Sequence, residues 1–282
     1  MTNSKCILIS GAAGGIGRAT VRALSESNFT VFAGVLNANE AALLAGDGFQ
    51  RVIPVTLDVS NEESIAVALN TVAEQMSSGG TLCGLINNAG VNYNAPLQYL
   101  SVAEIRQTMD VNLLGSILLT RAAIPLLRQN QSRVVFTGSA TGFMAPPIIS
   151  TYAATKFGVE GFADGLRLEF RPLGIQVSVI EPGVVRTPMT AAAPDILEVM
   201  LGRMSSGDRT LFENAMRKIA HMSSAPTVGI PADKVAKAIL HALTAPFPKA
   251  RYQVGVDSKI ASWACHLPDS VRDFIQRITF GI

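Results

Sequence analysis

The stretch "KCILISGAAGGIGRATVRALSES", Lys5 to Ser27, decides the fold. A β-branched apolar run breaks at a glycine-rich turn, and beyond the turn apolar residues recur at helical spacing. Glycine at Gly11, Gly15 and Gly17 lets backbone N–H groups approach a diphosphate, and a helix N-terminus adds positive partial charge there. A turn of this composition can also be merely tight, so its meaning depends on its surroundings.

Outward from that turn, short β-rich runs alternate with longer helical ones. After it come "FTVFAGVL", a short helix, "RVIPVTLDV", the helical "EESIAVALNTVAEQM", "LCGLINNAG", and a long helical stretch from about Ala103 to Arg128. The strand "RVVFTGSATG", a helix from Tyr152 to about Phe170, and the strand "IQVSVIEPG" follow. Apolar strands joined by crossover helices predict an α/β fold, a doubly wound parallel sheet with helices on both faces, built as a single domain over residues 1–282. One region breaks the rhythm. Val184 to Pro231 is too long for a simple connection, and within it residues 189–227 read as a helical insertion closing over a substrate. That insertion follows the sixth strand, on the carboxyl edge where ligands of open α/β sheets bind. Its Met189, Met200, Met204, Met216 and Met222 suit an adaptable apolar surface, although they can equally be the inner face of packed helices. "ARYQVGV" reads as a last strand, and the tail, residues 257–282, has no clear pattern.

Composition narrows the class of partner. A chain of 282 residues, 48% hydrophobic and 16% charged, can bury one substantial core, and a net charge of +2 without a basic block gives nucleic acid no foothold. A small molecule is the expected partner. Cys6, Cys83 and Cys265 lie far apart without a C-x-x-C spacing and read as free thiols of a reducing, cytoplasmic setting. His221, His241 and His266 form no metal-ligand spacing, so no metal site is expected. The opening "MTNSKCILISG" leaves no room for a signal sequence, and no later apolar run is expected to span a bilayer.

Chemistry enters with "STYAATKFGVEGFADGLRLEF", Ser150 to Phe170, where Tyr152 and Lys156 stand one helical turn apart and can share one small volume. Around them lie "LDV" at Leu57 to Val59, "NNAG" at Asn87 to Gly90, Val111 with Asn112, Gly138 with Ser139, and Pro182 with Gly183. Taken in order with the glycine turn, these motifs resemble the short-chain dehydrogenase/reductases, in their single-domain NAD(P)-dependent branch, over nearly the whole chain. The resemblance implies a Rossmann-type fold and hydride transfer between an alcohol and a nicotinamide cofactor.

It implies site residues as well. Tyr152 would move the hydroxyl proton; tyrosine, with an ordinary pKa of about 10, needs its phenolate stabilised, and Lys156 supplies positive charge. Ser139 would orient the substrate oxygen, and Asn112 would hold a water linking Lys156 to solvent. Cofactor contacts are expected from Gly11, Gly15, Ile16, Gly17, Asn37, Asp58, Val59, Asn88, Ala89, Gly90, Tyr152, Lys156, Pro182, Gly183, Val185 and Thr187. Asp58 would reach the adenine amino group, or serve only as a helix-cap neighbour.

The second strand ends "FAGVLNANE", with Val35, Leu36 and Asn37 where phosphate-binding relatives carry a basic residue, and Gly14 is likewise uncharged. NAD is therefore favoured over NADP, although the acidic residue typical of NAD-specific members is missing too. Within the family the chain resembles the branch of hydroxysteroid, retinol and 3-hydroxybutyrate dehydrogenases. That implies an alcohol or carbonyl substrate, lipophilic or a small hydroxy acid, and a homodimer or homotetramer formed through the long helix and the Tyr152 helix. Two rivals stand beside this reading: a catalytically silent, dinucleotide-binding redox regulator, and a sugar-nucleotide epimerase of the extended branch, for whose larger substrate domain this chain lacks room.

Overall fold

The computed structural model describes residues 4–77, 79–128, 131–225 and 227–282. In chain order they form β1 (Ser4–Ile9), α1 (Gly15–Glu26), β2 (Thr30–Val35), α2 (Ala38–Gly46), β3 (Val52–Thr56), α3 (Glu62–Met76) and β4 (Gly80–Asn87). There follow α4 (Val102–Met109), α5 (Gly115–Leu127), β5 (Arg133–Thr137), α6 (Ser150–Glu169), β6 (Gln176–Pro182) and β7 (Val185–Arg186). The last part holds α7 (Pro188–Ala191), α8 (Ala193–Gly202), α9 (Ser206–Ser224), β8 (Ile230–Pro231), α10 (Ala232–Thr244), β9 (Arg251–Val254), α11 (Val256–Ala264) and α12 (Asp269–Phe280).

Seven strands pair in parallel in the order β3-β2-β1-β4-β5-β6-β9. Side chains alternate across the sheet. Leu8, Phe32, Leu85 and Phe136 meet α3, α5 and α6 on one face, while Ile7, Ile9, Val31 and Ile86 meet α1 and α10 on the other. Each face is thus sealed by helices, giving the doubly wound Rossmann-type arrangement. The strand order reverses between β1 and β4, which opens a crevice at their carboxyl ends.

The long helix departs from expectation twice. Between α4 and α5 the backbone takes a π-helical course over Asp110–Leu114, so one turn is widened at Asn112. Contrary to the expectation that no run could span a bilayer, the whole element Val102–Leu127 is long and apolar enough to do so. Its Leu119, Ala123 and Leu127 are buried in the core under the sheet, while Val102, Met109 and Leu114 are exposed.

The insertion forms α7, α8 and α9 over a separate apolar cluster. Met200, Met204 and Met216 are buried there with Leu197, Leu201 and Ile219, against Ile148, Ile149 and Phe280. Packing thus accounts for these three methionines. Within "GRMSSGD", Ser205 is the N-cap of α9, whereas "HMSSAP" continues the helix to Ser224 and its Pro226 lies outside the described residues. The tail, unreadable as sequence, forms α11 and α12. Helix α12 turns Arg272, Gln276 and Phe280 inward and leaves Phe274, Ile275 and Ile278 exposed, the reverse of an ordinary surface helix.

Candidate active site

A cleft of about 430 Å³ opens at the carboxyl end of the sheet. Its floor begins at the first glycine turn. Gly11 has φ +62°, a left-handed conformation, and a Cβ there would press on Ala89. A Cβ on Gly17 would run into the Gly11 carbonyl, so the helix can start this close to the turn only with glycine at that position. Helix α1 carries Gly14 at its N-cap, without a capping side chain and without an acidic residue in its first turn. The first-turn N–H groups therefore lack a side-chain acceptor, and this edge of the cleft suits a diphosphate.

Ser10, which sequence reading passed over, wires this turn to the next strand. Its Oγ accepts from the N–H groups of Asn88 (3.0 Å) and Ala89 (3.1 Å). Asn88 Nδ2 donates to the carbonyls of Ser10 and Gly11, both at 3.1 Å, and its Oδ1 accepts from Thr137. Its side chain is a staple between β1, β4 and β5, while Gly90, Ala89 and Asn88 line the cleft. Asp58 also lines it; its Oδ1 accepts from the N–H and hydroxyl of Ser60, beside Val59.

At the other end stand the residues expected to carry chemistry. Ser139 stands on the turn just after β5, Tyr152 and Lys156 come from the first turns of α6, and all three line the cleft. Ser139 Oγ accepts from the N–H (3.2 Å) and hydroxyl (2.9 Å) of Thr141, and it stands near enough to Tyr152 to lower its pKa. The Lys156 ammonium lies 5.5 Å from the centre of the Tyr152 ring and donates to the Thr137 carbonyl at 2.8 Å. Tyr152 is half-buried, its ring bordering the open cleft, and enclosure by protein pushes its hydroxyl up to about 12, against the lowering by Ser139. Tyr152 is thus protonated at neutral pH. Burial pushes Lys156 down to about 8, opposed by Glu160 one turn further along α6. Lys156 therefore remains mainly charged at neutral pH and loses charge as pH rises through about 8.

Asn112, expected at the site, is buried on the π-helical turn and is not among the residues lining the cleft, where its neighbour Val111 stands. Its Oδ1 accepts from the Val91 N–H at 2.8 Å, and its Nδ2 donates to the Val91 carbonyl at 2.8 Å and to Thr155 Oγ1 at 3.3 Å. The amide thus clamps the loop after β4 onto α6.

Beyond β6, Pro182, Gly183, Val185 and Thr187 line the cleft, with Thr187 capping α7. A Cβ on Gly183 would overlap the Asp257 carboxylate, whose Oδ2 accepts from the Val184 N–H at 2.7 Å. The tail, through α11, therefore fixes this loop.

Asn37 is the one expected cofactor contact placed elsewhere. Its side chain caps α2, accepting from Asn39 and Glu40, and it is not among the residues lining the cleft. Leu36 and Glu40 stand there instead, and Glu40 Oε2 accepts from the Leu36 N–H at 2.8 Å. An acidic residue thus does border this end of the cleft, supplied by the first turn of α2 and not by the strand. Arg18, the nearest cation on α1, is held by both oxygens of Asp47.

Comparison with known proteins agrees with this geometry. The family model described as short chain dehydrogenase matches residues 5–196. The mitochondrial D-beta-hydroxybutyrate dehydrogenase of Mus musculus is 33% identical over 89% of this chain and 76% of its own length. Retinol dehydrogenase 5 of Mus musculus is 33% identical over 95% of this chain and 86% of its own. Among solved structures, a short-chain dehydrogenase from Streptomyces avermitilis superposes with a TM-score of 0.78 at 25% identity, over 98% of this chain and 96% of that one.

Proposed function

We propose, from the premise that the chain belongs to the short chain dehydrogenase family, that it interconverts a lipophilic alcohol and its ketone or aldehyde, with NAD preferred over NADP. The observation that carries this reading is the Ser139, Tyr152 and Lys156 constellation at the end of a cleft whose opposite end suits a diphosphate. Hydride acceptance and return is the chemistry that a bound nicotinamide supplies. Tyr152 gives its proton to the carbonyl oxygen in reduction and takes it from the hydroxyl in oxidation. Ser139 holds the same oxygen by a hydrogen bond. Lys156 favours the phenolate form of Tyr152 by its charge, and in the oxidative direction this works against the burial that raises the hydroxyl's pKa.

The NAD preference rests on Glu40. A carboxylate beside Leu36 repels a 2′-phosphate, and the Asp47 pair keeps the Arg18 guanidinium from offsetting that repulsion. Glu40→Gln keeps an acceptor for the Leu36 N–H while removing the charge. The kcat/KM ratio of NAD to NADP is expected to favour NAD in the wild type and to fall about tenfold in the variant, as expected for the loss of one partly screened charge interaction. A wild type that prefers NADP, or a ratio unmoved by the substitution, would overturn the assignment.

The lipophilic substrate is favoured by Met189, half-exposed in the cleft wall beside Thr190 and Ser223. Leu201, by contrast, is fully buried among the insertion helices, so placing a charge there tests folding and not substrate contact. Met189→Asp is expected to raise KM for long-chain and cyclic alcohols by about tenfold, in line with about 1–3 kcal/mol for burying an apolar side chain, and to leave a small hydroxy acid nearly unaffected. Equal changes across such a substrate series would contradict the apolar wall and favour the alternative, a dehydrogenase of small hydroxy acids resembling 3-hydroxybutyrate.

A further inference from the structure

Behind the Ser139 turn lies a pair of acids that the chemistry above does not use. Glu160, on α6 one turn beyond Lys156, and Glu181, on β6 just before Pro182, are buried with 8% and 0% of their surface exposed. Their carboxyl groups converge on one guanidinium, that of Arg251. Both Oε1 atoms are buried, and neither accepts a hydrogen bond from any N–H or O–H donor of other side chains or backbone. The remaining oxygens are provided for: Glu160 Oε2 accepts from Arg251 Nε at 3.1 Å, and Glu181 Oε2 accepts from Gln253 Nε2. Arg251 Nε also lies 3.1 Å from Glu181 Oε1 but directs its hydrogen at Glu160.

Two ionised carboxylates that converge on one guanidinium in a buried site, each with an unpartnered oxygen, repel one another strongly, and a proton relieves that repulsion. We infer that Glu160 and Glu181 share one proton between their carboxyl groups, and that this acid–carboxylate pair is a positioning element for the Ser139 turn and for Lys156. The charge balance agrees. Within the cluster Arg251 faces Glu160, Glu181 and Asp164, Arg167 faces Asp164, and Lys156 stands on the cleft side. With one shared proton the carboxyls and the two guanidiniums cancel, leaving the charge of Lys156 for the cleft. From α11, Ser258 Oγ donates to the Glu181 backbone carbonyl at 2.6 Å, while Asp257 accepts from the Val184 N–H.

The positioning role follows from the glycines. A Cβ on Gly138 would lie 2.8 Å from Glu160 Oε1, and one on Gly142 would lie 3.1 Å from Glu160 Cγ. The Glu160 side chain thus fills the space beneath the turn that presents Ser139, and its own helix presents Tyr152 and Lys156. Burial and the neighbouring Glu181 hold Glu160 above the ordinary carboxylate range. Because the folded value is raised, this contribution to stability is full below about pH 4, the unfolded carboxylate range, and is lost as pH rises through the folded value.

The pairing itself does not depend on the substrate, whereas its effect on turnover rests on the roles given to Ser139 and Lys156 above. Infrared difference spectra of wild type against E160Q and against E181Q, at neutral pH, test the pairing without any activity. Each difference is expected to contain the carbonyl stretch of one protonated carboxylic acid in the wild type that both variants lack. Between pH 6 and pH 9 the wild-type Tm is expected to fall by about 3–6 °C more than that of E160Q, a single-site linkage effect in a domain of this size. Carboxylate bands alone, or parallel melting curves, would overturn the shared proton. With an alcohol that turns over, E160A is expected to lose about tenfold in kcat through a displaced Ser139 turn, and E160Q to recover most of it. Equal loss in both variants, or none in E160A, would refute the positioning role while leaving the infrared result to decide the pairing.

Discussion

Tyr152→Phe is expected to lose turnover by at least about 10² and up to 10⁴-fold, the range that a positioned acid or base contributes, while the dissociation constant for NAD changes less than about twofold. The ring is retained, so the contact of the Lys156 ammonium with its face survives and the cleft keeps its shape. Only the proton carrier is removed. Ser139 cannot replace it, because a serine hydroxyl is a far weaker acid than tyrosine and has no charged lysine within the same turn to assist it. Stopped turnover combined with intact NAD binding, measured by titration, separates this loss from misfolding. Activity within tenfold of the wild type would remove Tyr152 from the mechanism.

Lys156→Ala is expected to reduce kcat by a similar factor and, unlike the first variant, to weaken NAD binding by about tenfold or more. Two losses combine here. The ammonium that favours the phenolate disappears, and the carbonyl of Thr137, which accepts from Lys156 at 2.8 Å in a buried setting, is left without that donor. An unsatisfied buried acceptor costs about 1–3 kcal/mol, so Tm is expected to fall as well. A Lys156→Met variant fills more of the space and keeps the electrostatic loss while reducing the packing loss. Unchanged NAD affinity in both would limit Lys156 to its effect on Tyr152.

Much of this site could be read from the chain before any coordinates. Tyr152 and Lys156 were legible because helical geometry alone brings residues four apart together, and the glycine turn because it follows an apolar strand. What could not be read depended on tertiary placement. Glu40 stands three residues after the N-cap Asn37, where an acid in a first helical turn normally serves the helix; only the packing of α2 against the sheet turns it to the cleft. The π-helical turn at Asn112 leaves no periodic mark in "DVNLL". The methionines of the insertion carried two readings at the same spacing, and the coordinates assign Met200, Met204 and Met216 to helix packing while leaving Met189 at the cleft. Glu160 and Glu181 are distant in sequence and belong to different elements, so their convergence on Arg251 is a property of β6 lying beside α6. Asp257 sits in the tail, which lacked a pattern, although it anchors the loop that follows β6.

The central claim, that this cleft oxidises and reduces an alcohol–carbonyl pair through Tyr152, is tested most directly by following reduced-cofactor absorbance with NAD and a panel of steroid, retinoid, long-chain and small hydroxy-acid substrates, wild type beside Tyr152→Phe. The account predicts NAD reduction with at least one lipophilic alcohol, and its loss in the variant. Tight NAD binding without turnover of any panel member in either direction would contradict it and support a catalytically silent dinucleotide-binding regulator.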